Sequence, residues 1–238
     1  MLMKLDAKPL DLECDEKGQL FLSGKALKPD IRTLDQMKKV MFHTEPGVQD
    51  APTYYMYRDV APELAAKGIR YDVTAILPLH LGQEKNKTFG HYHPEAAEGL
   101  SYTELYNVLA GEAHYLLQKR SGLGQVEDII LVKAKKGDAV IVPPNYGHIT
   151  INPGKELLVM ANLIAPNFNS DYREYEELRG GAYYELSNGK LVPNPAYGSI
   201  PQIKIRKGAC APKFKPNILA AYFKKPGNFD FLIDPRKY

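Results

Sequence analysis

The sequence predicts an all-β protein with a few short helices, arranged as a barrel or jelly roll. Two observations carry this reading. Between residues 70 and 166 the chain breaks into short apolar runs, YDVTAILPL, ELYNVLAG, EAHYLLQK, DIILVKA, DAVIVPP, HITIN and ELLVMANLIA, separated by Gly, Pro, Asn and Lys. The runs are rich in β-branched and aromatic residues, and short strands at frequent turn intervals are the pattern of barrels and sandwiches. With 238 residues, 44% of them hydrophobic, the chain is long and apolar enough to bury a core.

The elements follow in order. Residues 1–30 mix short apolar pieces with Gly, Pro and charge, and read as an arm with one or two strands. Residues 31–42 space Ile31, Leu34, Met37, Val40 and Met41 at helical intervals, which predicts a short amphipathic helix. His43 to Pro52 is a turn-rich connector. Residues 53–60 and 70–79 carry Tyr, Val, Thr and Ile and read as strands. After the strand-rich region, NSDYREYEELRGG offers Asp171 and Glu174 as a capping box and Gly180 and Gly181 as a stop, for a helix of about two turns. The Pro- and Lys-rich remainder reads as an irregular extension wrapping the barrel, docked by Phe223, Phe229 and Phe231. The expected division is therefore 1–50, an arm with a short helix; 51–166, the barrel; and 167–238, a C-terminal helix and extension. No internal repeat is present.

Bulk properties narrow the function classes. Charged residues make up 25% and the formal net charge is only +3, without the concentrated basic face of a nucleic-acid binder. The two cysteines, Cys14 and Cys210, are far apart and outside any CxxC pair, so they are expected to be reduced thiols. The N-terminal MLMKLDAKPLDLECDEKG has no apolar signal-peptide core, and no apolar run approaches a membrane span. The expected location is the cytoplasm, with no membrane partner.

Three spaced features point to a metal site. His91 and His93 lie two apart, so in a strand both imidazoles face one side. Glu104, Tyr106 and Val108 share a strand face, and Gly111 closes that run; a glutamate looking inward is costly unless it is paired or bound to metal. In the stretch from Gly137 to Asn152, Pro143 closes a strand and a tight turn delivers His148 to the start of the next. Three histidines and a carboxylate suit Fe, Mn, Ni or Zn, with water or substrate in the open positions. His43, His80 and His114 have no matching partners and read as structural or exposed. Glu174, Glu176 and Glu177 read as a solvated helix face.

Taken together these spacings resemble the two motifs of the cupin superfamily. The second matches at Gly137, Pro143, His148 and Asn152, with Asn145 in place of a Gly and able to take the same left-handed turn. The first departs further, because ten residues separate His93 from Glu104. Glu98 meets the shorter spacing. Glu104 is the preferred ligand because it sits in a strand-like run and is followed at the right interval by Gly111, which leaves PEAAEGLS as a surface loop.

Thr88-Phe89-Gly90-His91-Tyr92-His93, Glu104-Leu105-Tyr106 and VPPNYGH ending at His148 look like the cupin-type glucose-6-phosphate isomerases, over roughly residues 50–180. The resemblance implies a cytoplasmic homodimer of glycolysis and gluconeogenesis that interconverts glucose 6-phosphate and fructose 6-phosphate. It implies one divalent metal per subunit, iron(II) foremost, on His91, His93, Glu104 and His148. It also implies Glu104 and Tyr106 as catalytic residues, and a phosphate cradle at Thr74, Thr88, Gly90 and Tyr172. Hydroxyls and a glycine amide can cradle phosphate oxygens. The family has a His two positions before that Tyr, where this chain has Ser170. Proton transfer by Glu104 through a cis-enediol and a metal-assisted hydride shift are both open. Other readings on the same barrel are an epimerase, a mannose-6-phosphate isomerase, a non-haem iron dioxygenase, and a non-catalytic sugar- or metal-binding cupin.

Overall fold

The structure is a computed structural model that describes residues 1–166, 168–207 and 211–238. Two main sheets are built from ten strands: β1 (Asp30–Thr33), β2 (Pro52–Tyr57), β3 (Arg70–Ile76), β4 (Glu104–Ala110), β5 (Glu112–Gly122), β6 (Gln125–Lys135), β7 (Ala139–Val142), β8 (Tyr146–Ile151), β9 (Leu158–Ile164) and β10 (Lys204–Lys207). One sheet has six strands in the order β7-β4-β9-β3-β2-β1, all antiparallel. The other runs β8-β5-β6-β10, antiparallel except that β10 lies parallel to β6. The fold is an all-β cupin barrel.

The period of two sorts the six-stranded sheet into two faces. Tyr106, Val108, Val140, Val142, Leu158 and Met160 point inward and pack against Tyr115, Leu117, Ile129 and Leu131 of the second sheet. Leu105, Leu109, Tyr71, Val73, Ala161 and Leu163 point the other way into a second apolar cluster. That outer face is covered by the termini, which explains why β4 and β9 are buried at every position. Leu5, Leu12 and Leu20 come from the N-terminal arm, whose residues 3–26 hold a four-stranded sheet, and Phe214, Ile218, Leu219 and Phe229 come from the C-terminal stretch. Polar bonds fix both covers. Tyr57 donates its hydroxyl to the Gly18 carbonyl at 2.8 Å, and Thr103 donates to the Phe231 carbonyl at 2.8 Å.

Several local expectations change. The helix expected over 31–42 starts at Leu34, as a single α-turn to Met37 followed by a 3-10 turn to Val40, because Asp30–Thr33 is drawn into pairing with β2. The arm holds four short strands rather than one or two. The helix after the barrel is short, Arg173–Glu177, and Tyr172 is its N-cap, so Asp171 and Glu174 form no capping box. Asp171 instead accepts from the Arg173 side chain, and Glu174 is buried against Arg120 rather than solvated. In the extension, Phe229 and Phe231 are buried, but Phe223 is exposed and Tyr222 takes its inward place in the helix Ile218–Lys224. PEAAEGLS forms a small hairpin, Glu95–Ala97 with Leu100–Ser101, rather than a plain loop. Cys14 is buried and free, while Cys210 lies outside the described residues.

Candidate metal centre

His91, His93, Glu104 and His148 meet inside the barrel, each offering one ligand atom, with these atoms within 4.8 Å of one another. Three pieces of backbone deliver them. His91 and His148 face each other across an isolated antiparallel bridge, His148 N donating to the His91 carbonyl at 3.0 Å. His93 follows two residues on. Glu104 opens β4 on its inward face, paired to Val142 on one side and Ile164 on the other. The turn before His148 holds Asn145 at a φ of +68°, as the missing glycine of the motif requires.

Glu98, the other carboxylate offered by the spacing, is elsewhere. It sits at the exposed tip of the hairpin with a φ of +52°, and its carboxylate accepts from Arg236 at 2.8 Å.

The protonation states suit a divalent cation. His93 Nδ1 is 2.9 Å from the Tyr102 carbonyl, which can only accept, so Nδ1 carries a proton and Nε2 is the nitrogen turned to the cluster. Phe168 packs on both rings, 5.0 Å from His93 and stacked at 4.6 Å on Tyr102. Burial, and then the neighbouring His148 and His93, push His91 well below the usual imidazole range. Burial likewise lowers His148, against the pull of Glu104. Burial would raise Glu104, but His148 and His93, at 3.2 and 3.3 Å, outweigh it and hold the carboxyl well below the usual range. Imidazoles held neutral at His91 and His148 beside an ionised Glu104 are ligands of the kind a divalent metal needs. Among the described residues no hydrogen bond satisfies the buried His93 Nε2 and Glu104 Oε2, and such orphans call for a partner.

Around this cluster, Thr74, Thr88, Gly90, Tyr106 and Tyr172 line one cavity with His91, Glu104 and His148. Tyr106 is the inward neighbour of Glu104 on β4, with its hydroxyl 3.0 Å from His148 Nε2. Burial, then the Glu104 carboxylate, push its phenol well above the usual range, so it stays a neutral donor. Thr88 Oγ1 accepts the Thr150 amide at 2.9 Å. Gly90 has a φ of +89°, and a Cβ there would come within 2.6 Å of the Tyr175 ring and 2.7 Å of Ile149. Packing as well as backbone conformation thus requires a glycine. Tyr172 lies edge-on to Phe89, 5.6 Å away, and 5.3 Å from His91. Of the remaining histidines, His43 and His80 are exposed, and His114 pairs with Glu185 at 2.7 Å.

Sequence reasoning missed four polar residues of the cavity wall, Arg58, Arg70, Asp72 and Asn162. One signal was available: Arg70, Asp72 and Thr74 alternate along β3, so a strand face that carries Thr74 inward also carries the two charges inward.

A profile of the glucose-6-phosphate isomerase family matches residues 33–202. Among curated relatives, the glucose-6-phosphate isomerase of Thermococcus gammatolerans is 27% identical over 196 residues, covering 80% of this chain and 97% of that one. That of Pyrococcus horikoshii is 25% identical over 196 residues, with coverages of 80% and 97%. Among solved structures, the chain is similar to an oxalate decarboxylase formate complex of Lactobacillus farciminis, at 17% identity and a TM-score of 0.37, over 61% of this chain and 32% of that one. A superposition that loose says nothing of chemistry.

Proposed function

The chain belongs to the glucose-6-phosphate isomerase family, and from that premise we propose that it interconverts glucose 6-phosphate and fructose 6-phosphate with the help of one divalent metal ion. The observation that supports the metal is the cluster of half-buried His91 with buried His93, Glu104 and His148, in which no hydrogen bond among the described residues satisfies His93 Nε2 or Glu104 Oε2. The donor set suits Fe, Mn, Ni or Zn, and the family resemblance puts iron(II) first. The proposed setting is cytoplasmic glycolysis and gluconeogenesis. Among the described residues no helix is long and apolar enough to cross a membrane.

The bound cation would act as a Lewis acid that polarises the C1 or C2 oxygen of the open-chain sugar. The chain's own groups do the rest. Thr74, Thr88, Gly90 and Tyr172 hold the phosphate and so fix which carbons meet the ligands. Glu104, ionised and poorly solvated, moves the proton between C2 and C1. Tyr106, kept neutral beside it, donates its hydroxyl hydrogen to a substrate oxygen.

The test is an isomerase assay on several hexose phosphates after reconstitution with Fe(II), Mn(II), Ni(II) or Zn(II), with metal content measured on the same samples. Glucose 6-phosphate is expected to be turned over by at least one metal form. His91→Ala, His93→Ala and His148→Ala are expected to lose metal. Full metal content in all three variants sinks the ligand assignment, and no turnover of any sugar phosphate sinks the isomerase.

A further inference from the structure

Thr74, Thr88, Gly90 and Tyr172, the groups proposed to hold the phosphate, are all neutral, and so is Ser170, which lines the same cavity. A phosphate monoester carries a charge of roughly −1.5 to −2 at neutral pH. Neutral donors leave that charge uncompensated, and hydrogen bonds from charged donors are the stronger ones. Among the described residues lining this cavity, the arginines and lysines are Arg58 and Arg70 alone.

Both guanidinium groups are tied to Asp72, which is fully buried. Arg70 engages it with Nε and Nη2, each at 2.9 Å, so its fork is committed to that carboxylate. Arg58 engages it with Nη1 at 2.9 Å, and its Nη2 meets the weakly accepting sulfur of Met56 at 3.2 Å. Arg58 therefore keeps a donor edge to spare. Two cations against one carboxylate also leave one positive charge in excess. Burial works against the Arg58 charge, but the Asp72 carboxylate outweighs it and holds the guanidinium above its ordinary range.

Strand register puts the spare edge at the cradle. Met56 is the cross-strand partner of Thr74, and such partners stand side by side on one face. Asp72 lies two residues before Thr74 on β3 and so shares that face. The Arg58 guanidinium, reaching from Asp72 to Met56, thus lies alongside Thr74 with one edge anchored and the other unengaged. Arg32 is also near, but it stacks on the Phe89 and Tyr172 rings, 5.2 and 6.0 Å from their centres, outside the cavity lining.

We infer that Arg58, held by Asp72, is the cationic member of the phosphate cradle and makes the site select phosphorylated sugars over neutral ones. The identity of the anion rests on the isomerase reading; the spare Arg58 donor beside Thr74 does not.

Calorimetric titration of the metal-loaded chain with D-glucitol 6-phosphate, which has no carbonyl to isomerise, tests this. Arg58→Gln is expected to weaken binding about ten- to a hundredfold, the worth of a hydrogen bond from a charged donor. Arg58→Lys keeps the charge without the fork and should recover part of that loss. Arg70→Gln takes the other guanidinium from the same carboxylate but leaves the spare donor, and should cost clearly less. A wild type that does not bind the ligand, an Arg58→Gln that binds as tightly as the wild type, or an equal loss in Arg70→Gln overturns the inference. If Arg58→Gln fails to fold, Arg58→Lys carries the test, and binding as tight as the wild type overturns it. Isomerase activity of the same wild-type preparation reads the parent proposal separately: a protein that binds D-glucitol 6-phosphate through Arg58 yet turns over no hexose phosphate refutes the isomerase and supports the anion site.

Discussion

Glu104 and Glu98 differ by six positions in sequence and by almost everything physical in the structure. Glu104 is 3% exposed on an inward strand face between two imidazoles, whereas Glu98 is solvated and paired with Arg236. Glu104→Gln keeps the volume and removes both the charge and the proton-accepting oxygen. Turnover of glucose 6-phosphate is expected to fall at least about a hundredfold, the usual worth of a general base, with the fold retained. Glu98→Gln should change it little, since exposed ion pairs contribute little. An active Glu104→Gln with a dead Glu98→Gln would show that the assignment belongs to the other carboxylate. Cys14 gives a second residue-level expectation. Burial, reinforced by Asp15, pushes its thiol up from its ordinary value of 9.0 to about 12. The folded state therefore holds the proton longer than the unfolded chain, so this group stabilises the fold below about pH 9 and loses that contribution as pH rises towards 12. In a Cys210→Ser background, iodoacetamide at pH 8 is expected to label Cys14 only when the protein unfolds. Rapid labelling of the native protein would contradict the buried, protonated thiol.

The elements at the two ends of the chain are decided by what they cover. Residues 31–33 belong to a run with helical spacing, but pairing with β2 yields ladder hydrogen bonds and outweighs the weak propensity of a short helix. The C-terminal helix is held by Asn217, which caps it through the Ala220 amide, and by Asn107 of β4, whose side-chain amide donates to the Pro216 carbonyl at 2.9 Å. Phe229 packs 4.7 Å from Phe214 and 5.2 Å from Tyr222 against the outer face of the large sheet. Phe229→Ala should cost about 3–5 kcal/mol through lost burial and a cavity. Phe223→Ala, at a 44% exposed position, should stay within about 0.5 kcal/mol. Urea unfolding of the two variants checks the contrast, and equal losses would mean that the extension is docked by some other face.

For the molecule as a whole, one sheet faces two cores: the barrel interior, which carries the cavity, and the outer layer built by the termini. One of its two edge strands is β1, and Ile31 there is 47% exposed and points away from the interior. An exposed apolar residue on an unpaired edge strand is a point at which a second sheet can add. A homodimer is the proposed assembly, and sedimentation velocity should give twice the mass of one chain, with Ile31→Asp shifting it towards monomer. A monomeric wild type at working concentration would count against it.

The candidate ligands were legible in the sequence because strands have a fixed period of two and turns need particular residues. His91 and His93 two apart, Glu104 opening a β-run closed by Gly111, and His148 after a proline-terminated strand are local patterns, and local geometry translates them directly into side-chain direction. The barrel was legible for the same reason. What lay beyond local pattern was settled by contacts between residues distant in the chain. The pairing of β10 with β6, the placement of Phe223 outward and Tyr222 inward, and the burial of Glu174 against Arg120 each depend on a partner more than fifty residues away or on which surface happens to be open. The joining of Arg58, Arg70 and Asp72 on one cavity wall depends on register between adjacent strands and on a carboxylate that only the folded sheet buries. Periodicity tells which way a side chain points along its own strand; only the closing of the sheets tells what it meets there.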